Sequence, residues 1–186
     1  MLESAATEVP TPMKPFLLLP VLLLLVPAIG TENGLAQSKA DLVGTWKLIS
    51  ATETTKKGEV RAAYGWQNQQ GLLTYTADGR MMAITTKGGR KPLSVSDNVG
   101  APAEERAEAF ATMTAYAGSY TLNGNKVIHH LEVCALQNQV NTELVRLITK
   151  LERNSLALRT VNMGSAGPEI AYRELVWERI SSGSAP

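Results

Sequence analysis

Leu42-Val43-Gly44-Thr45-Trp46-Lys47-Leu48-Ile49-Ser50 decides how this chain is read. The stretch follows a polar run and opens everything that reads as folded protein. On a pleat with a period of two, Trp46 shares a face with Gly44 and Leu48. The glycine lets a neighbouring element come close to the backbone, and the indole supplies a large apolar surface beside it. The stretch is therefore a first strand, running from about Val43 to Thr54.

Working outward, short extended runs repeat. After the turn at Lys57-Gly58, Glu59 to Trp66 forms a second short strand ending in Tyr64-Gly65-Trp66, followed by a polar corner, Gln67 to Gln70. Gly71 to Thr76 and Arg80 to Thr85 are joined by Ala77-Asp78-Gly79, and Asp-Gly between two such runs is a strong hairpin signal. Lys87 to Pro92 ends strand pairing. Between Ala101 and Ala115 the period changes: Ala107, Phe110, Ala111 and Thr114 fall at helical spacing, opposite Glu104, Glu105, Arg106 and Glu108, and Pro102 suits a first turn. Strands resume at Tyr116 to Leu122. Asn123-Gly124 then turns the chain into Lys126 to Cys134, and Glu143 to Leu151, Ser155 to Val161 and Ala171 to Ile180 follow. Eight or nine short strands joined largely by hairpins, with one short amphipathic helix, describe an all-β, up-and-down antiparallel arrangement. Such a set leaves bare edges unless it closes, and eight strands close into a barrel wide enough for side chains or one small ligand.

Composition narrows the class of function. Of 186 residues, 44% are hydrophobic and 19% charged, an ordinary balance for one folded domain. The net charge is +1, and the basic residues are scattered with no run beyond Lys56-Lys57, so no nucleic-acid footprint is present. Phe16 to Val26 is an apolar stretch of 11 residues, preceded by Lys14 and followed by the small-x-small site Ala28-Ile29-Gly30. It reads as an export signal, and at that length, broken by Pro20 and Pro27, it is short for a bilayer span of roughly 20 residues. Glu3 and Glu8 are acidic where a signal wants positive charge, which points to Met13 as the true start. A second cut after Gly34-Leu35-Ala36 is also open, so residues 1–36 are expected to be leader, 41–180 the barrel domain and 181–186 a disordered tail. The one cysteine, Cys134, excludes an internal disulfide and leaves stability to the core.

The resemblance becomes specific once these runs are set together. Gly44-Thr45-Trp46 resembles the Gly-x-Trp signature of lipocalins, and Arg173 or Arg179, on one face of the last strand with Leu175 and Trp177, would be the arginine packed over that tryptophan at the closed end. Leu42 to Leu48, Gly71-x-Leu73-x-Tyr75-x-x-Asp78-Gly79-Arg80-Met81, Ala115-Tyr116-Ala117-Gly118-x-Tyr120, His129-His130-x-Glu132 and Leu175-Val176-Trp177 resemble the bacterial and fungal lipocalin-like domain family over about Asp41 to Ile180. The resemblance implies a lipocalin-like barrel; it implies no single activity, since fold does not fix function.

Chemistry is sought in the side chains that point inward. In Val127 to Cys134 the set Val127, His129, Leu131 and Val133 is the more apolar, so these are expected inside, with His130, Glu132 and Cys134 outside. Adjacent histidines then face opposite ways and cannot share a metal. The expected ligand-lining residues are Tyr64 and Trp66 at the rim, Leu73 and Tyr75 on one wall, Met82 and Ile84 opposite, with Tyr120, His129 and Arg146, because aromatic and methionine side chains suit apolar pockets. No nucleophile motif, phosphate loop or metal cluster is visible, so no cofactor or catalytic residue is assigned. The favoured function is binding of a small apolar molecule by an exported barrel. Two alternatives stand beside it: an isomerase or cyclase using His129 with Tyr75 or Tyr120, and a scaffold whose outer face binds another protein.

Overall fold

The computed structural model describes residues 38–97, 99–160 and 169–181. The expected leader, residues 161–168 ahead of the last strand and all but the first residue of the tail lie outside these residues. Nine strands follow in order: β1 Gly44–Thr55, β2 Val60–Ala62, β3 Gln70–Tyr75, β4 Arg80–Thr86, β5 Met113–Asn123, β6 Lys126–Cys134, β7 Glu143–Glu152, β8 Ser155–Thr160 and β9 Ile170–Arg179. A four-residue helix, α1 (Lys39–Leu42), precedes β1, and α2 (Ala103–Ala111) lies between β4 and β5.

Every neighbouring pair is antiparallel. The sheet runs β2-β1-β3-β4-β5-β6-β7-β8-β9, and β1 pairs again with β9, so β1 and β3 to β9 form a closed eight-stranded barrel with β2 as an extra strand on the far half of β1. Closure satisfies the backbone groups that an open sheet of this length would leave bare. The first strand is the seam: its near half pairs with β3 through Trp46 and Leu73, and its whole length pairs with β9.

Alternation then sorts the side chains. Trp46, Leu48, Leu73, Tyr75, Met81, Tyr120, Val127, Leu156, Leu158 and Trp177 belong to one buried cluster that fills the end nearest α1. That end is sealed. Ser38 caps α1 in a reciprocal box with Asp41, which drives Leu42 into the core, and the Leu42 carbonyl accepts from Trp46 Nε1 at 2.9 Å. Arg179 is the arginine over the tryptophan, with its guanidinium carbon 3.9 Å from the ring centre. It donates to the carbonyls of Val43, Asp41 (2.6 Å) and Arg153 (2.6 Å). Gly44, at φ +138°, has to be glycine: a Cβ there would collide with that guanidinium.

Three expectations are corrected. Met82 and Ile84 stand on the outer face, 58% and 42% exposed, while Met81, Ala83 and Thr85 point inward. The register decides it: Ala83 lies opposite Leu73 and Tyr116, both of which face the interior, so Met82 and Ile84 on either side of it face out. Val133 is outside and 68% exposed, because a bulge places Glu132 as an extra residue between the Gly118–Leu131 and Ala117–Val133 pairs and reverses parity beyond it. Cys134 turns inward as a result. The helix is shorter than Ala101 to Ala115 and buries no residue; Thr114 belongs to β5, where its hydroxyl meets that of Thr85 at 2.6 Å.

Candidate functional site

The barrel half away from α1 is hollow. A cavity of about 500 Å³ opens there, walled by Tyr64 and Trp66 from the turn after β2, Phe110 and Ala111 from α2, Met113 to Tyr116 from β5, Cys134, Leu144, Arg146 and Arg173. That is the size of a small-molecule site. Beneath it lies a chamber of about 50 Å³, bounded by Tyr64, Leu73, Ala83, Tyr116, His129, Arg146, Leu158, Thr160, Leu175 and Trp177. Phe110, 51% exposed, and Ala111 edge this cavity from α2, a helix that buries no residue.

His129, 1% exposed, forms the floor. Its Nε2 lies 2.7 Å from the Tyr75 hydroxyl and its Nδ1 3.3 Å from the Tyr116 hydroxyl, so a neutral ring donates to one phenol and accepts from the other. Burial, followed by the charges of Arg146 and His130, holds its pKa well below the ordinary 6.5. Burial also pushes Tyr75 far up and Tyr116 up, and the Arg146 charge opposes the rise in both. His130, by contrast, is on the outer surface, bonded to Thr121 at 3.0 Å and facing Glu143 at 3.0 Å.

The rim is held by a buried carboxylate. Glu53 accepts from Arg173 Nε at 3.0 Å and Arg61 Nε at 2.8 Å. Burial alone would raise its pKa, but the bonds from Arg61 and Arg173 outweigh that and keep it below the usual carboxylate value. The Arg173 guanidinium lies 3.9 Å over the Tyr64 ring, and Tyr64 stacks on Trp66 at 4.7 Å. This clamp holds Tyr64 at φ +59°, a conformation a tyrosine rarely adopts.

Of the residues expected to line a site, Tyr64, Trp66 and Arg146 wall the cavity, and Leu73, His129, Tyr64 and Arg146 wall the chamber. Tyr75 stands behind His129, out of both spaces. Tyr120 is core: it packs on Tyr75 at 4.7 Å and donates to the Thr76 carbonyl at 3.0 Å. Met82 and Ile84 are on the other side of the wall. Tyr116, Leu144, Arg173 and Trp177 were not expected to line a site, although Tyr116 shares a strand face with Gly118 and Tyr120, and Leu144 with Arg146. Among the described residues no three His, Cys, Asp or Glu side chains group to hold a metal, and no helix is long and apolar enough to cross a membrane.

A closed antiparallel barrel, sealed beneath Trp46 and Arg179 and hollow at the other end, is a lipocalin-like barrel, a scaffold suited to binding ligands. The family model of the lipocalin-like domain matches residues 43–180, and the chain belongs to that family. Among solved structures, it is similar to a lipocalin-like protein from Bacteroides uniformis, 15% identical over 75% of this chain and 99% of that one, with a TM-score of 0.41. An uncharacterized protein from Bacteroides eggerthii is 12% identical over 75% of this chain and 99% of its own, at a TM-score of 0.39. A redesigned β-barrel is 11% identical over 78% and 97%, at 0.40. No curated protein matches the sequence.

Proposed function

We propose that this protein binds a small, largely apolar molecule in the hollow half of its barrel and does so after export. The observation that carries the reading is the cavity of about 500 Å³ with Trp66, Phe110, Met113 and Leu144 in its wall above a packed base. Apolar walls of this kind gain from displacing poorly held water, and a rigid barrel around them limits the ordering that binding would otherwise cost. The apolar run Phe16 to Val26 behind Lys14 supports export. Native mass spectrometry of the protein isolated from its own host tests the binding reading. The expected result is a co-purifying small molecule that is lost on denaturation and absent from a folded Leu144→Lys variant. An empty wild-type barrel that also takes up no apolar probe would refute it.

One observation favours a second reading. The chain Tyr75–His129–Tyr116 leads from the core to the cavity floor, so a proton on a bound ligand could pass to or from the Tyr116 hydroxyl with His129 behind it. In that case Tyr116, not Tyr75 or Tyr120, is the group that meets the ligand. Tyr116→Phe would then abolish turnover while leaving affinity within a few-fold.

A further inference from the structure

Three arginines on the inner faces of the strands have different surroundings. Arg173 is paired with Glu53, and Arg179 donates to three carbonyls at the closed end. Arg146, which walls both the cavity and the chamber below it, has no carboxylate within 4 Å among the described residues. Its one backbone acceptor is the adjacent Val145 carbonyl at 3.4 Å, and its side chain reaches the Tyr116 phenol. A half-buried guanidinium that lacks a counter-charge is costly to keep, because the lost hydration is not replaced. A second donor stands unmet in the same chamber. Trp177, 3% exposed and part of the chamber wall, has an indole N–H with no acceptor among the described residues.

We propose that the ligand is an amphiphilic carboxylic acid that enters head first, its carboxylate seated in the inner chamber against Arg146, with the Trp177 Nε1–H and the Tyr116 hydroxyl as further donors and its apolar body in the wider cavity above. This rests on the reading of the hollow half as a ligand site. The chemistry fits on three counts. A carboxylate is acceptor-only, so it can meet the guanidinium fork, the indole and the phenol together. Arg146 is the wall arginine without a carboxylate of its own, whereas Arg173 shares Glu53 with Arg61 and Glu143 at the rim faces His130, so an incoming carboxylate is matched to Arg146. A chamber of about 50 Å³ holds a head group of a few heavy atoms, whereas the space of about 500 Å³ outside it takes the body.

Calorimetric titration of the folded protein with dodecanoate and with 1-dodecanol separates this from the broader reading. The acid is expected to bind at least tenfold more tightly than the alcohol. Arg146→Gln should remove that difference by weakening dodecanoate tenfold or more while leaving dodecanol unchanged, and Trp177→Phe should weaken dodecanoate several-fold. A check independent of binding is the empty barrel's thermal midpoint, which Arg146→Met should leave unchanged or raise, since no ion pair is lost and a half-buried charge is removed. Equal binding of acid and alcohol, unmoved by Arg146→Gln, would overturn the carboxylate assignment and leave the cavity reading standing. No binding of either probe by a folded barrel would overturn both. A clear fall in the midpoint of Arg146→Met would make Arg146 a structural residue and overturn the assignment on its own.

Discussion

His129 shows how one side chain ties the packed half of the barrel to the hollow half. Its ring bridges Tyr75, from β3, and Tyr116, from β5, and it lies in the field of Arg146 from β7. Because folding holds its pKa well below 6.5, the unfolded chain binds a proton first as the pH falls through that value. More protons on the unfolded state mean that stability rises with pH there. The contribution is thus whole above about pH 6.5 and is lost on acidification, with a slope of up to about 1.4 kcal/mol per pH unit. Glu53 acts later: its depressed carboxyl pKa costs stability only as the pH falls below about 4.5, so the two windows separate. Urea unfolding followed from pH 7 to about 5 should show the slope in the wild type and a flat line in His129→Gln. An unchanged slope in the variant would place the titration elsewhere. Sequence alone indicated that His129 faces inward, from the apolar company of Val127 and Leu131. Of the two tyrosines it set beside His129, Tyr75 does meet the ring, whereas Tyr120 lies two inner positions from Tyr116 on the same strand and bonds the Thr76 carbonyl instead, so the Tyr116 contact went unread.

At the level of elements, the hairpins and strand limits were legible and the faces less so. Asp78-Gly79 and Asn123-Gly124 mark their turns because few other residues adopt the conformations these need, and β3 to β6 fall where those turns put them. Face assignment fails where alternation is ambiguous. Arg80-Met81-Met82-Ala83-Ile84-Thr85 offers apolar residues on both faces, and only the register, with Ala83 opposite the inward Leu73 and Tyr116, decides between them. In β6 the pattern was sound as far as Leu131, after which the bulge at Glu132 reversed it, a change no periodicity announces. Gly118 is the trace of that bulge, since a Cβ there would collide with the His130 carbonyl. The two adjacent methionines give a direct test of the register. Met81→Lys puts an ammonium into the sealed core and should cost more than about 3 kcal/mol, whereas Met82→Lys should stay within about 0.5 kcal/mol of the wild type. Chemical denaturation of both variants checks this, and equal losses would mean the strand is registered otherwise.

For the whole molecule, closure follows from strand count, but the position of the hollow does not. Eight strands account for a barrel wide enough to be filled or to hold one ligand, and which of these occurs depends on how large residues stack along the axis. Here Trp46, Tyr75, Tyr120, Met81 and Trp177 crowd one end, while Thr85, Thr114, Ala115 and Thr160 leave the other end open. The two ends should therefore differ in stability even though they share every long strand. Amides of β1 near Trp46 and of β9 near Trp177 are covered by packed core, so they should exchange with solvent only when the whole protein unfolds. Amides of β5 around Thr114 to Tyr116 border the cavity and have few apolar contacts above them. Local opening should expose these at a free energy at least about 2 kcal/mol below the global value. A ligand bound in the cavity should raise that opening energy selectively, in addition to the general gain of RT ln(1 + [L]/Kd) that any native-state ligand confers. Native-state hydrogen exchange, residue by residue, measures both quantities in one experiment. Equal protection along β5 from Met113 to Tyr120 in the empty protein would mean that the hollow half is packed as firmly as the sealed one, and the division of the barrel into base and container would fall.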